Sequence, residues 1–131
     1  MMPGVMVPGK RDPAAPVIDM LTRRALVPTL AGMAEWIYFI HPPRGDFAAT
    51  MTDAEKNVWG EHAARLERLL AEGTLILAGP TLGPVNTGIA VFEAEDEPAA
   101  RAIMDGDPIA AGGFARLELR PFRASFLRGR D

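Results

Sequence analysis

The chain contains two histidines and no cysteine, so its chemistry depends on few side chains, of which His62 is the most informative. The apolar residues Val58, Leu66 and Leu69 recur with His62 at helical spacing and share one helix face. An imidazole on an inward face needs a polar partner, because an unpaired buried polar group destabilises the fold. Two interpretations follow: a core histidine bonded to a backbone carbonyl, or a general acid or base, since imidazole titrates near neutrality.

Asp107 is the second candidate for proton chemistry. It follows Gly106, where a helix is expected to end, and precedes Pro108. An aspartate in a turn before proline also needs no chemistry to explain it. Asp105 shares that structural explanation and has no functional feature in its favour.

Three residues suggest a place for a ligand: Arg44 and Phe47, in a loop rich in proline and glycine, and Trp59, one helical turn before His62. A guanidinium and an aromatic ring suit an anionic, planar compound. The alternatives are a solvated loop charge for Arg44 and interface packing for Trp59. We read His41, next to two prolines, as structural.

The composition excludes several classes of protein. Lacking cysteine, the chain has no disulfide and no thiolate chemistry, and two histidines make a poor metal cage. A formal charge of −3 disfavours nucleic acid, and no apolar run is long enough to span a bilayer. Phosphate-loop and nucleophile-elbow motifs are absent. We therefore expect no cofactor, no metal, no nucleic-acid partner and no membrane partner.

The 131 residues suit one domain with some excess, and the excess lies at the start. Five prolines interrupt residues 1–33, which we interpret as a flexible N-terminal extension before a domain at 34–131. The pair Arg23-Arg24 fits a twin-arginine export signal poorly, because the apolar run after it is short and contains Pro28. We therefore expect a cytoplasmic protein, and Met33 would be a natural first residue.

From Ala34 onward, strand and helix patterns alternate. The box Thr52–Glu55 predicts a helix starting at Asp53, and Gly73 predicts its end after Glu72. A second helix begins after Asp96 and ends near Gly106, and an irregular loop is expected from Asp107. The predicted strands are Trp36–Ile40, Thr74–Ala78, Gly88–Ala94 and Phe114–Phe122, with a possible short fifth strand at Ala124–Leu127.

This order is β-α-β-β-α-β, which is the ferredoxin-like plan in the α+β class. Four antiparallel strands would carry two helices on one face of the sheet. Leaving the second, apolar face of the sheet exposed to water would cost the folded state about 25 cal/mol of free energy per Å² of apolar surface. We therefore expect a homodimer through the sheet face.

The segments around these elements resemble the YciI-like (YCII-related) family. The resemblance covers about residues 34–128, and its most telling pieces are His62, then Ala78-Gly79-Pro80, then Asp107-Pro108. It implies a ferredoxin-like fold pairing into a dimeric α/β barrel, and a His–Asp site at His62 and Asp107. Relatives include small cofactor-free enzymes acting on ring compounds, among them a dehydrochlorinase. The role of the loop that holds Arg44 and Phe47 varies within the family.

The resemblance and the residues together predict a small cofactor-independent enzyme of lyase, isomerase or dehydrochlorinase type. His62 would be the general base, Asp107 would orient it, and the substrate would be a small cyclic or aromatic acid. Arg44, Phe47 and Trp59 would contact that substrate. The alternatives are a non-catalytic domain that binds or senses a small molecule, and a purely structural partner domain, since one fold hosts many functions.

Overall fold

Strand β1, Ala34–His41, lies inside the sheet and pairs with a strand on each side. Its aromatic and β-branched residues favour an extended, buried backbone. The computed structural model describes residues 33–129. Its other elements are α1 (Phe47–Thr50), α2 (Asp53–Glu72), β2 (Leu75–Pro80), β3 (Gly88–Ala94), α3 (Glu97–Asp105), α4 (Pro108–Ala111) and β4 (Arg116–Phe122).

The four strands form one antiparallel sheet in the order β2-β3-β1-β4. In its register Tyr38 of β1 lies between Ala90 of β3 and Leu119 of β4. The predicted α+β, ferredoxin-like arrangement is therefore confirmed.

The core lies on the helix side of the sheet. Side chains alternate along a strand, so every second residue of β1 faces the helices, namely Trp36, Tyr38 and Ile40. The apolar face predicted for α2 packs on this core through Val58, Leu66 and Leu69. Both predicted ends of α2 are confirmed: the capping box is formed at Thr52, and Gly73 adopts the left-handed conformation at φ 87°.

Two segments predicted as loops contain the short helices α1 and α4. Buried Ile109 of α4 packs in the core cluster, and buried Phe47 of α1 packs against Trp59 of α2. Strand β2 also continues through Gly79-Pro80, beyond the predicted end at Ala78. Since β2 lies at a sheet edge, proline is tolerated there. Strand β4 begins later than predicted because the Phe114 amide donates to the Ile109 carbonyl at 3.0 Å.

The compact unit Ala34–Arg123 holds all of these elements. Met33 and residues 124–129 lie outside this unit. The fifth strand expected at Ala124–Leu127 is wrong, because no strand forms within residues 124–129. The predictions for residues 1–32 lie outside the described residues.

The helix-free face of the sheet carries the alternate residues of β1 and β3. Ile37, Phe39, Ile89 and Val91 lie on it, and none of them belongs to the core cluster. At its β4 side, His41 Nε2 lies 3.0 Å from Glu118 Oε1. Dimerisation through this face stays a prediction.

Candidate functional site

Helix α2 carries His62 midway along its length and turns it toward the sheet. The capping box at Thr52 and the left-handed Gly73 set where α2 begins and ends, and Leu66 anchors the same face in the core. The histidine side chain retains 12% of its exposure, so it is accessible from one side.

Asp107 caps helix α4, and its side chain is completely buried. Its Oδ1 atom accepts the Ile109 amide at 2.9 Å, and Pro108 occupies the first helical turn, where a missing amide donor is harmless. This local geometry is why the irregular loop expected at Asp107 is instead one turn of helix. It also holds the carboxylate in a defined orientation.

The second carboxylate oxygen of Asp107 receives two short hydrogen bonds. His62 Nδ1 lies 2.6 Å from Oδ2, and the Tyr38 hydroxyl donates to the same oxygen at 2.6 Å. A carboxylate accepts hydrogen bonds, so this contact assigns the imidazole proton to Nδ1. Nε2 of His62 makes no hydrogen bond within residues 33–129 and remains available as a proton acceptor.

The electrostatics favour an ionised Asp107. Burial raises the pKa of its carboxyl, but hydrogen bonds from His62, Tyr38 and the Ile109 amide outweigh burial and leave the pKa below its usual value. Burial, followed by the charge of Asp107, raises the pKa of Tyr38 far above its usual value. Tyr38 therefore stays a neutral donor while Asp107 stays an anion.

A cavity of about 490 Å³ opens beside His62, between α2 and the sheet. Its walls come from β1, α1, α2, β2, β3 and the loop between β2 and β3. Apart from the indole N–H of Trp59, His62 and Asn86 are the only lining residues with polar side chains within the described part of the chain. The apolar lining residues include Ile40, Phe47, Met51, Trp59, Leu66 and Leu82. Such a cavity suits a small, mostly apolar compound.

The predicted ligand residues divide into two groups. Phe47 and Trp59 both line the cavity, with ring centroids 4.6 Å apart, and Trp59 lies 6.5 Å from the His62 ring. Arg44 does not line it. The Arg44 guanidinium holds both carboxylate oxygens of Glu55, at 2.7 and 3.0 Å, and lies 5.1 Å from the centre of the Phe47 ring. Substrate contact by these three residues stays a prediction.

Sequence reasoning missed Tyr38. The available signal was that the chain's single tyrosine occupies the same face of β1 as Trp36 and Ile40, where a hydroxyl needs a partner. That partner, Asp107, lies 69 positions away, so only the fold reveals it.

No group of three or more histidine, aspartate or glutamate side chains within residues 33–129 is placed to hold a metal ion. No helix in this part of the chain has the length and hydropathy to cross a bilayer.

A fold of this topology, with a histidine and a buried carboxylate at the edge of an apolar cavity, defines a small ferredoxin-like protein with a ligand-sized pocket. The model of the YCII-related domain matches residues 37–123, and the chain belongs to that family. No match was found among curated proteins.

Two solved structures are similar to this chain. One is the 5-chloro-2-hydroxyhydroquinone dehydrochlorinase TftG from Burkholderia phenoliruptrix AC1100, in complex with 2,5-dihydroxybenzoquinone. It is 18% identical, with a TM-score of 0.55, and the match covers 74% of this chain and 99% of that one. The other is an uncharacterized NIPSNAP-like domain protein from Burkholderia xenovorans, 20% identical over 76% of this chain and 91% of that one, with a TM-score of 0.41. The first similarity supports the fold.

Proposed function

We propose that this protein is a cofactor-independent enzyme in which His62 acts as a general base, oriented by Asp107, on a small cyclic compound. The observation that carries the proposal is that the two nitrogens of the imidazole ring have different surroundings. Nδ1 is held 2.6 Å from a buried carboxylate, while Nε2 makes no hydrogen bond to any described residue and the side chain lines a cavity.

The chemistry of the pair follows from this orientation. With its proton on Nδ1, neutral His62 presents a lone pair at Nε2 and accepts a proton from a C–H or O–H group of the substrate. The imidazolium formed is stabilised by the ionised Asp107, which keeps its own hydrogen bonds from Tyr38 and Ile109. In an elimination a leaving group departs with its electron pair, whereas in an isomerisation the proton returns to another atom of the ring.

The cavity narrows the class of substrate. Its described lining contains one ionisable side chain, His62, and the nearby guanidinium of Arg44 is engaged by Glu55. An ionised carboxylate in the cavity would therefore have no cationic partner other than protonated His62. This favours a ring compound whose acidic group is a hydroxyl or an activated C–H over a carboxylic acid.

The experiment compares three forms of the protein: wild type, His62→Gln, and His41→Gln as the matched control. His41 is the other histidine and lies on the helix-free face, paired with Glu118. The probes are 5-chloro-2-hydroxyhydroquinone and a set of hydroxylated aromatic and lactone rings. Chloride release and deuterium uptake from heavy water, followed by NMR, report turnover.

We expect His62→Gln to lose turnover by roughly 10²–10⁴-fold, the range for removing a general base, and His41→Gln to retain it. Turnover that survives in His62→Gln would overturn the proposal. Binding of 2,5-dihydroxybenzoquinone that raises the melting temperature, with no turnover of any probe, would instead favour the non-catalytic binding domain.

A further inference from the structure

Helix α3 ends just before the turn that carries Asp107. At this end, one backbone carbonyl lacks its usual hydrogen bond within the helix. In a continuing helix the Asp107 amide would donate to the Ile103 carbonyl, but it donates to the Met104 carbonyl at 3.0 Å. The Ile103 carbonyl accepts from the Arg65 guanidinium instead, at 2.9 Å from Nη2. A cation here also opposes the negative end of the α3 dipole.

Arg65 and His62 lie three residues apart on α2, so they project from neighbouring positions on the same side of that helix. His62 contacts the Asp107 carboxylate, and Arg65 contacts the carbonyl four residues before it. Helix α2 therefore holds the turn that carries Asp107 at two points.

Gly106 makes room for this contact. A Cβ atom at position 106 would lie 2.8 Å from Arg65 Nη2, closer than real Cβ contacts come. The backbone of Gly106 has an ordinary right-handed conformation at φ −77°, which any residue adopts. The space taken by the guanidinium is therefore the reason that position 106 suits glycine.

We propose that Arg65 is a positioning residue, which holds the Ile103–Asp107 turn against α2 and so sets the contact between Asp107 Oδ2 and His62 Nδ1. The catalytic meaning of this inference rests on the proposed function, whereas the positioning itself is measurable without substrate. The charge of Arg65 also opposes the rise in the pKa of Tyr38. This agrees with a position of Arg65 close to His62 and Asp107.

Arg65 is also held at a cost in free energy. Its Nη1 atom is buried and makes no hydrogen bond within the described residues. A buried donor without a partner destabilises the folded state.

The experiment follows the His62 ring proton by NMR in the full chain. His62→Gln assigns the signal, since His41 is the only other histidine. Arg65→Met keeps the length of the side chain and removes its donors and charge. Arg68→Met is the matched control, because Arg68 lies exposed on the same helix.

In wild type we expect a strongly deshielded Nδ1 proton that exchanges slowly with water. In Arg65→Met the signal should shift upfield, and its exchange should accelerate roughly tenfold or more, a factor typical of losing one charge-assisted hydrogen bond. Arg68→Met should match wild type. An unchanged signal in folded Arg65→Met would overturn the inference.

A second variant decides the outcome should Arg65→Met fail to fold. Gly106→Ala keeps the arginine but displaces its flexible guanidinium, so the His62 signal should move in the same direction. In an Arg65→Ala background the same change should have little further effect. No shift in Gly106→Ala would contradict the inference.

Measurements of activity distinguish a failure of this inference from a failure of the proposed function. If both hold, Arg65→Met lowers kcat with little change in KM, because substrate binding does not involve Arg65. If the ring proton responds as expected but no probe turns over in wild type, the proposed function fails and the positioning role of Arg65 stands.

Discussion

His62 Nδ1 and Asp107 Oδ2 lie 2.6 Å apart, although 45 positions separate the two residues in the chain. Helix α2 supplies the first and the cap of α4 supplies the second. Because Asp107 is completely buried and its Oδ1 is bound by the Ile109 amide, the carboxylate has little freedom to turn away. The contact is therefore a property of the fold.

Replacing Asp107 with asparagine tests how much this contact contributes. Asp107→Asn retains the volume but loses the charge that accepts from His62 and Tyr38. We expect a loss of about 1–3 kcal/mol in the free energy of unfolding, the range for a buried group losing its charged hydrogen bonds. Urea denaturation measures it. Asp105→Asn, exposed at the end of α3, is the control and should match wild type. Equal stability of the two variants would contradict this assignment.

The same carboxylate predicts an acid-side loss of stability. The pKa of Asp107 in the folded protein lies below its usual value of 3.8, since the hydrogen bonds from His62 and Tyr38 outweigh the effect of burial. The stabilisation is thus complete above about pH 5 and declines as the pH falls below the usual pKa, because the unfolded chain then binds the proton first. The stability difference between wild type and Asp107→Asn should stay constant above about pH 5 and shrink as the pH falls below the usual pKa of 3.8. A difference independent of pH would argue against an ionised Asp107.

Tyr38 predicts a loss of stability at alkaline pH. Its pKa is raised in the folded state by burial and then by the charge of Asp107. The stabilisation is therefore present below the usual pKa of 10.0 and declines as the pH rises above it, because only the unfolded chain ionises there. Tyr38→Phe should lose about 1 kcal/mol near neutrality and show a flatter stability curve above pH 10.

Tyrosinate absorbance provides a direct check on this alkaline loss of stability. Tyr38 is the only tyrosine of the chain, so the absorbance reports one residue. We expect no tyrosinate in the folded protein at alkaline pH and its appearance only with unfolding. Ionisation with an ordinary midpoint in the folded protein would show that the contact with Asp107 is absent.

The parts of this structure that sequence predicts best depend on neighbours along the chain. Helix α2 follows from Thr52, Glu55 and Gly73, all of which act within one helical turn of its ends. The inward placement of His62 follows from helical periodicity in the same way. The residues of the family motif then suggested Asp107 as its partner.

Relations across long separations in the chain were not predictable from local pattern. Tyr38 reaches Asp107 over 69 positions, and Arg65 reaches Ile103 over 38. The helical pattern of Val58, His62, Leu66 and Leu69 does not include Arg65, yet the Arg65 guanidinium fills the space beside Gly106. Such contacts depend on how α2 packs against the end of α3, which no local propensity encodes.

We expect the ion pair between Arg44 and Glu55 to hold helix α1, which forms part of the cavity wall, against helix α2. Glu55 belongs to the capping box of α2, and Arg44, which also donates to Thr50, packs over the ring of Phe47. The Arg44 hydrogen bond, then the Thr52 amide, lowers the pKa of Glu55 to about 2. The pair should thus persist well below the usual pKa of 4.5 and weaken only as the pH approaches 2.

Arg44→Met and Glu55→Gln should each lower the melting temperature, and the double variant should lose less than the sum, since both single changes break one contact. Release of Phe47 from Trp59 should also change the tryptophan fluorescence. A direct role for Arg44 in substrate binding predicts a different pattern. In that case Arg44→Met raises KM for anionic substrates while the melting temperature and fluorescence stay at their wild-type values, and Glu55→Gln, by freeing the guanidinium, lowers KM.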